Sequence, residues 1–178
     1  MKTLNEIEIT EEHLKLKKYN YQPKLTAKLD VLNKDFDQEI INQIVLWKVN
    51  RFTEIDNKTL ILINSIDQNS ENIDENLTAE ILENLLTTNG IQLAMASTIL
   101  RFKNPTIYQI IDQRVYRIIY GETIPKYFSS IEKQISLYLK YLIDLKNVCN
   151  EKGINFALSD RIIYELDKEF NKDEKIKY

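Results

Sequence analysis

The chain is poor in the residues that cross-link a fold or break its regular structure. Its 178 residues include one cysteine, one histidine, three glycines and three prolines. A lone Cys149 excludes an internal disulfide, a thiolate-rich zinc site and a cysteine-ligated iron–sulfur cluster. It is expected to be a core or half-buried thiol. His13 is the sole histidine and has no second histidine or cysteine beside which to hold an ion, so no catalytic metal and no cofactor is expected. So few glycines and prolines leave little material for the tight turns of a β-sandwich or barrel. Runs of eighteen apolar residues are also missing, and Met1-Lys2-Thr3-Leu4-Asn5 opens no charged or apolar leader. Neither a membrane span nor secretion is expected, and a reducing, cytoplasmic (intracellular) setting is.

Apolar residues make up 43% of the chain and there are ten tyrosines, enough for a sizeable core. The length suits one domain over 1–178, with its core in 35–170. Helical spacing dominates, so the expected class is all-α, a compact helical bundle. Phe36, Ile40, Ile41, Ile44, Trp47 and Val49 share one face of a helix over Asp35–Phe52, with Trp47 in the core. Asn57–Ile66 is strongly apolar, and its LILINSI run also fits a strand. Asp67–Asn76 reads as a polar surface loop. A helix beginning near Leu77, with Thr78 as its cap, ends at Asn89-Gly90. Ile91–Phe102 is the next helix, and Ala94, Ala96 and Ser97 allow a close neighbour. Asp112 caps Gln113–Tyr120. A long helix over Phe128–Asn150 stops at Gly153, and Ser159-Asp160 caps a last one over Arg161–Phe170.

Formal net charge is −3, with an isoelectric point near 5.4. The balance is uneven along the chain. Asn89 to Lys126 holds five basic residues against two acids, and His13 to Leu29 holds five lysines and no acid. A local positive face suited to a polyanion is compatible with that distribution.

The segment 89–121 is the most informative. A helix ends, the chain turns through Asn89-Gly90-Ile91-Gln92, and a new helix starts. The first N–H groups of that helix have no partner within it and, with the helix dipole, form a site suited to a backbone phosphate. An ordinary helix–helix connection has the same sequence. Asp112 likewise has two compatible readings. At a helix start it is a cap, and in a pocket beside an extruded nucleotide it would activate water or stabilise an oxocarbenium ion.

These residues resemble the core of the helix-hairpin-helix DNA glycosylase superfamily, which includes endonuclease III, adenine glycosylase and 8-oxoguanine glycosylase. The family pattern is Leu-Pro-Gly-Val-Gly-x-x-Thr-Ala, an apolar helix, then Pro-x-x-x-Val-Asp-x-x-Val-x-Arg. Asn89-Gly90-Ile91-Gln92 stands at the hairpin, Met95-Ala96 at Thr-Ala, and Ile111-Asp112-Gln113-Arg114-Val115-Tyr116-Arg117 at the second block. The likeness spans about a fifth of the chain, as motif matches go. It implies a DNA partner, the hairpin and Arg114 as DNA-binding residues, and Asp112 as the catalytic carboxylate. Ala94 stands where strand-cutting members carry a lysine, and alanine forms no imine with a sugar. The implied activity is therefore monofunctional base removal. Gln92 replaces the second hairpin glycine. The alternative is a catalytically inactive module of the same fold that binds nucleic acid or a protein.

Several further residues have two readings each. Gln113 and Arg114 line a pocket, touch phosphate or simply form a solvated helix start. Lys15, Lys17, Lys18, Lys24 and Lys28, with Tyr19 and Tyr21, track a strand by charge and stacking or form a solvated surface. Tyr108, Tyr116, Tyr120 and Tyr127 sandwich a base or pack in the core and rim.

Overall fold

The computed structural model describes residues 21–32, 35–49 and 52–174. His13, Lys15, Lys17, Lys18 and Tyr19 lie outside these residues. Every regular element among the described residues is helical: α1 (Pro23–Asp30), α2 (Gln38–Lys48), α3 (Asn57–Asn64), α4 (Glu75–Thr87), α5 (Leu93–Lys103), α6 (Gln113–Tyr120), α7 (Ile131–Lys152), a 3-10 turn (Phe156–Leu158) and α8 (Ser159–Phe170). None is long and apolar enough to cross a membrane.

Short polar side chains decide where most helices begin. Asp37 accepts from the Ile40 N–H, Asp56 from Thr59, Asp74 from Leu77, Asp112 from Arg114 and Val115, and Ser130 from Lys133. Each such cap contributes about 1 kcal/mol. They also correct the sequence reading in two places. The LILINSI segment is helical through Asn64, because Asp56 caps the helix and its spacing then buries Thr59 and Ile63 on one face. Asp74, not Thr78, caps α4. Thr78 lies a turn inside the helix, where its hydroxyl meets the buried Tyr108 hydroxyl at 2.6 Å. The α6 range agrees with expectation, and Gly121 ends the helix at φ 71, in left-handed geometry that a side chain resists.

The chain divides into two compact units, Met1–Phe52 and Thr53–Tyr178, and the expected 35–170 core runs across that division. In the first unit α1 packs on α2. The Trp47 indole N–H donates to Thr26 Oγ1 at 2.9 Å. Tyr21 donates to the Trp47 carbonyl at 2.8 Å, and its ring meets the indole edge-on at 5.2 Å. Trp47 thus anchors this small unit.

In the second unit α4 lies between α3, α5 and α7, and α6 pairs with α8. Ile81, Leu82, Leu85, Leu100, Ile111 and Leu145 are fully buried at its centre. Each contributes on the order of 1.5–3 kcal/mol by leaving water. Cys149 is buried among them, and burial pushes its thiol pKa up. Asn104 ends α5 and donates to the carbonyls of Asp67 and Ser70 at 2.9 Å each, which ties down the acidic loop.

Candidate functional site

The chain from Tyr108 to Asp112 belongs to no helix or strand, so most of its peptide groups need partners from elsewhere. Tyrosines and a serine supply them. Tyr138 donates to the Gln109 carbonyl at 3.0 Å, Tyr141 to the Ile110 carbonyl at 2.7 Å, and Ser97 Oγ accepts from the Ile111 N–H at 3.1 Å. Helices α5 and α7 therefore clamp the strap that delivers Asp112. Burial raises the Tyr141 pKa well above the usual phenol value, with Tyr138, Asp160 and Asp112 adding to it. The hydroxyl stays protonated and keeps donating.

Asp112 opens into a cleft of about 450 Å³. Ile110, Asp112 and Val115 form one wall, and Asp160, Arg161, Tyr164 and Glu165 of α8 form the other. This volume falls within the usual range for small-molecule pockets. Asp112 Oδ1 accepts both capping N–H groups, from Arg114 at 2.7 Å and from Val115 at 3.3 Å. Its Oδ2 accepts no hydrogen bond among the described residues. The cap and the open oxygen therefore coexist in one half-buried side chain.

The other two carboxylates of the cleft are matched by cations. Asp160 Oδ2 lies 3.4 Å from Arg101 Nε, both side chains being buried. Glu165 accepts from Lys168 through both oxygens at 3.0 Å. Asp112 is the lining carboxylate with no cation within 4.0 Å among the described residues. Arg161 adds a positive charge to the rim. Tyr164 places its ring in the wall with the Arg114 guanidinium 5.5 Å and the Lys168 ammonium 5.6 Å from its centroid.

A further acid, outside the cleft lining, holds the two walls together. Asp167 is fully buried and accepts from Arg117 Nε at 2.6 Å, Arg117 Nη2 at 2.8 Å, Arg114 Nη1 at 3.0 Å and Asn171 at 2.9 Å. Burial alone would raise its pKa. The bonds from Arg117, Asn171 and Arg114 outweigh burial and hold it below the usual carboxylate value. This clasp joins α6 to α8 beyond the cleft.

A comparison of the chain with protein families, with curated proteins and with solved structures found no match.

The hairpin precedes α5. Asn89, Gly90 and Gln92 are exposed, Ile91 is buried, and Gly90 has φ 85. Thr53 Oγ1 holds the Asn89 carbonyl at 2.9 Å. Gln92 is the N-cap of α5 but gives no side-chain hydrogen bond to it, so the first-turn N–H groups have no side-chain cap among the described residues. Ala94, at the lysine position of the resembled family, is exposed. The Ile91 side chain belongs to the core, which leaves only its backbone for a ligand.

The other sequence candidates are placed elsewhere. Arg114 turns towards Asp167, so its guanidinium is occupied in the clasp. Gln113 bonds both the N–H and the carbonyl of Ile124, at 3.0 and 3.4 Å, and fastens the loop after α6. Tyr108 and Tyr116 are buried, Tyr116 packs on Tyr120 with centroids 4.4 Å apart, and Tyr127 is 92% exposed. None of the four lines the cleft. Sequence reading missed Asp160, Tyr164 and Glu165 as cleft residues and Arg101 as the partner behind them. The available signal was the spacing of Asp160 and Tyr164, four apart on one helical face.

Proposed function

We propose that this chain is a monofunctional DNA glycosylase of the helix-hairpin-helix type, acting on a damaged or mispaired base. The observation that supports it is Asp112: a carboxylate with no cationic partner among the described residues, pinned by two backbone N–H groups, at the edge of a cleft large enough for a nucleobase. In the reaction the C1′–N bond breaks and its electron pair leaves with the base, which takes up a proton. Positive charge develops on the sugar, and the fixed Asp112 carboxylate stabilises it. Water adds to C1′ and gives its proton to Asp112, which releases it to solvent, balancing the proton that the base takes up from there. Exposed Ala94 has no amine, so no imine forms and the product is an abasic site with an unbroken strand. The open N–H groups at the start of α5 would take a backbone phosphate. From Leu93 to Arg101, which backs the cleft, α5 rises about 12 Å. Incubation with a panel of lesion-containing duplexes, followed by hot alkali, tests the reading. Cleavage only after alkali supports it, and no cleavage of any duplex contradicts it.

One observation favours a second reading, a module of this fold that has lost catalysis. Arg114 is tied to Asp167, which removes one expected phosphate contact. A salt titration of DNA affinity separates the possibilities. A negative slope of log affinity against log salt reports phosphate contacts. No binding at low salt points to a protein partner.

A further inference from the structure

We propose that Asp160 reads the extruded base, and that the base it accepts presents an amino edge. The proposal rests on the glycosylase reading above and names the substrate class of that same cleft. Asp160 lines the cleft although it is only 5% exposed. Its Oδ1 is taken by the Arg161 N–H at 2.8 Å. Its Oδ2 accepts no hydrogen bond among the described residues. The neighbouring cation does not complete it: Arg101 Nε stands 3.4 Å off as an ion pair, makes no hydrogen bond to it, and is itself buried without a hydrogen-bond partner among the described residues. A buried ion pair is normally completed by good hydrogen bonds, and this one is left incomplete within the wall of the cleft.

An ionised carboxylate only accepts hydrogen bonds. Asp160 Oδ2 therefore selects an N–H on the edge of whatever enters. Adenine and cytosine present an exocyclic amino group there. Their deaminated counterparts, hypoxanthine and uracil, present a carbonyl oxygen at the same position and carry their ring N–H at the neighbouring one, so Asp160 Oδ2 discriminates by meeting the exocyclic position, where the deaminated base sets lone pair against lone pair. Arg101 stands beside Asp160 without consuming its free oxygen, and Asp112 on the opposite wall is left to face the sugar. A site built around a buried polar group rejects the analogue that cannot pair with it much more strongly than an apolar pocket would.

The test is equilibrium binding of the full chain to four duplexes. Each carries a 2′-fluoro nucleotide, which resists cleavage, bearing adenine, hypoxanthine, cytosine or uracil opposite a tetrahydrofuran abasic analogue, which removes pairing. Adenine is expected to bind about 10- to 100-fold tighter than hypoxanthine, and cytosine than uracil, as a charge-assisted hydrogen bond allows. Asp160→Asn, checked for folding by thermal unfolding, should lose that preference, because an amide both donates and accepts. Equal wild-type affinities within each pair would overturn the proposal whether or not the variant folds. So would a preference that survives Asp160→Asn in a folded protein. Failure to bind any of the four duplexes would overturn the glycosylase reading itself, and this assignment with it.

Discussion

Replacing Asp167 with asparagine should loosen the two walls of the cleft, because one buried carboxylate holds them together. It accepts two bonds from Arg117, at 2.6 and 2.8 Å, one from Arg114 at 3.0 Å and one from Asn171 at 2.9 Å. Removing one partner of a buried ion pair costs about 3–5 kcal/mol, since the other charge stays behind. The Arg117 and Arg114 side chains are 11% and 27% exposed, so water recovers part of that loss. We expect about 3 kcal/mol, or a fall of roughly 10 °C in Tm for a unit of this size. The sign of the pH dependence follows from the depressed pKa of Asp167. A carboxylate held low in the fold stabilises it fully above its unfolded value and loses that contribution as pH falls through the folded value. The gap between wild type and Asp167→Asn should therefore be constant from pH 5 to 8 and shrink below about pH 4. Urea unfolding of the full chain, followed by circular dichroism at pH 7 and pH 3, measures both. A loss under about 1 kcal/mol at neutral pH, or a gap that does not shrink in acid, would refute the reasoning.

Two further substitutions test how the site is positioned. Tyr141→Phe removes the 2.7 Å bond to the Ile110 carbonyl and leaves that buried strap short of a donor. It should lower the unfolding free energy by about 1–3 kcal/mol. Gly121→Ala meets no atom within 4 Å, so any cost comes from φ 71 alone. Urea titration should show a loss of about 1–2 kcal/mol, and no change would mean that the backbone relaxes.

Local signals were legible and long-range ones were not. The Asp112 cap could be read because it acts within four residues of itself, and the structure keeps it. Thr78 misled because its signal was equally local while its hydroxyl is used by Tyr108, thirty residues away. The LILINSI run was ambiguous because alternation and helical spacing overlap in a short apolar stretch. Only the Asp56 cap decides it. The second wall of the cleft was hidden for the same reason. Arg101 and Asp160 are 59 positions apart, and nothing in either neighbourhood announces that α8 folds across the start of α6. Arg114 looked like a phosphate ligand because Asp167, 53 residues on, was not visible beside it.

The most direct test of the central claim is base release by Asp112→Asn on a duplex that the wild type processes. Asparagine keeps an oxygen for the Arg114 and Val115 N–H groups, so folding and DNA affinity should hold. It carries no charge, so release should fall by at least about 100-fold, the scale of one lost electrostatic stabiliser. Release at the wild-type rate would mean that the open oxygen of Asp112 has no part in breaking the glycosidic bond.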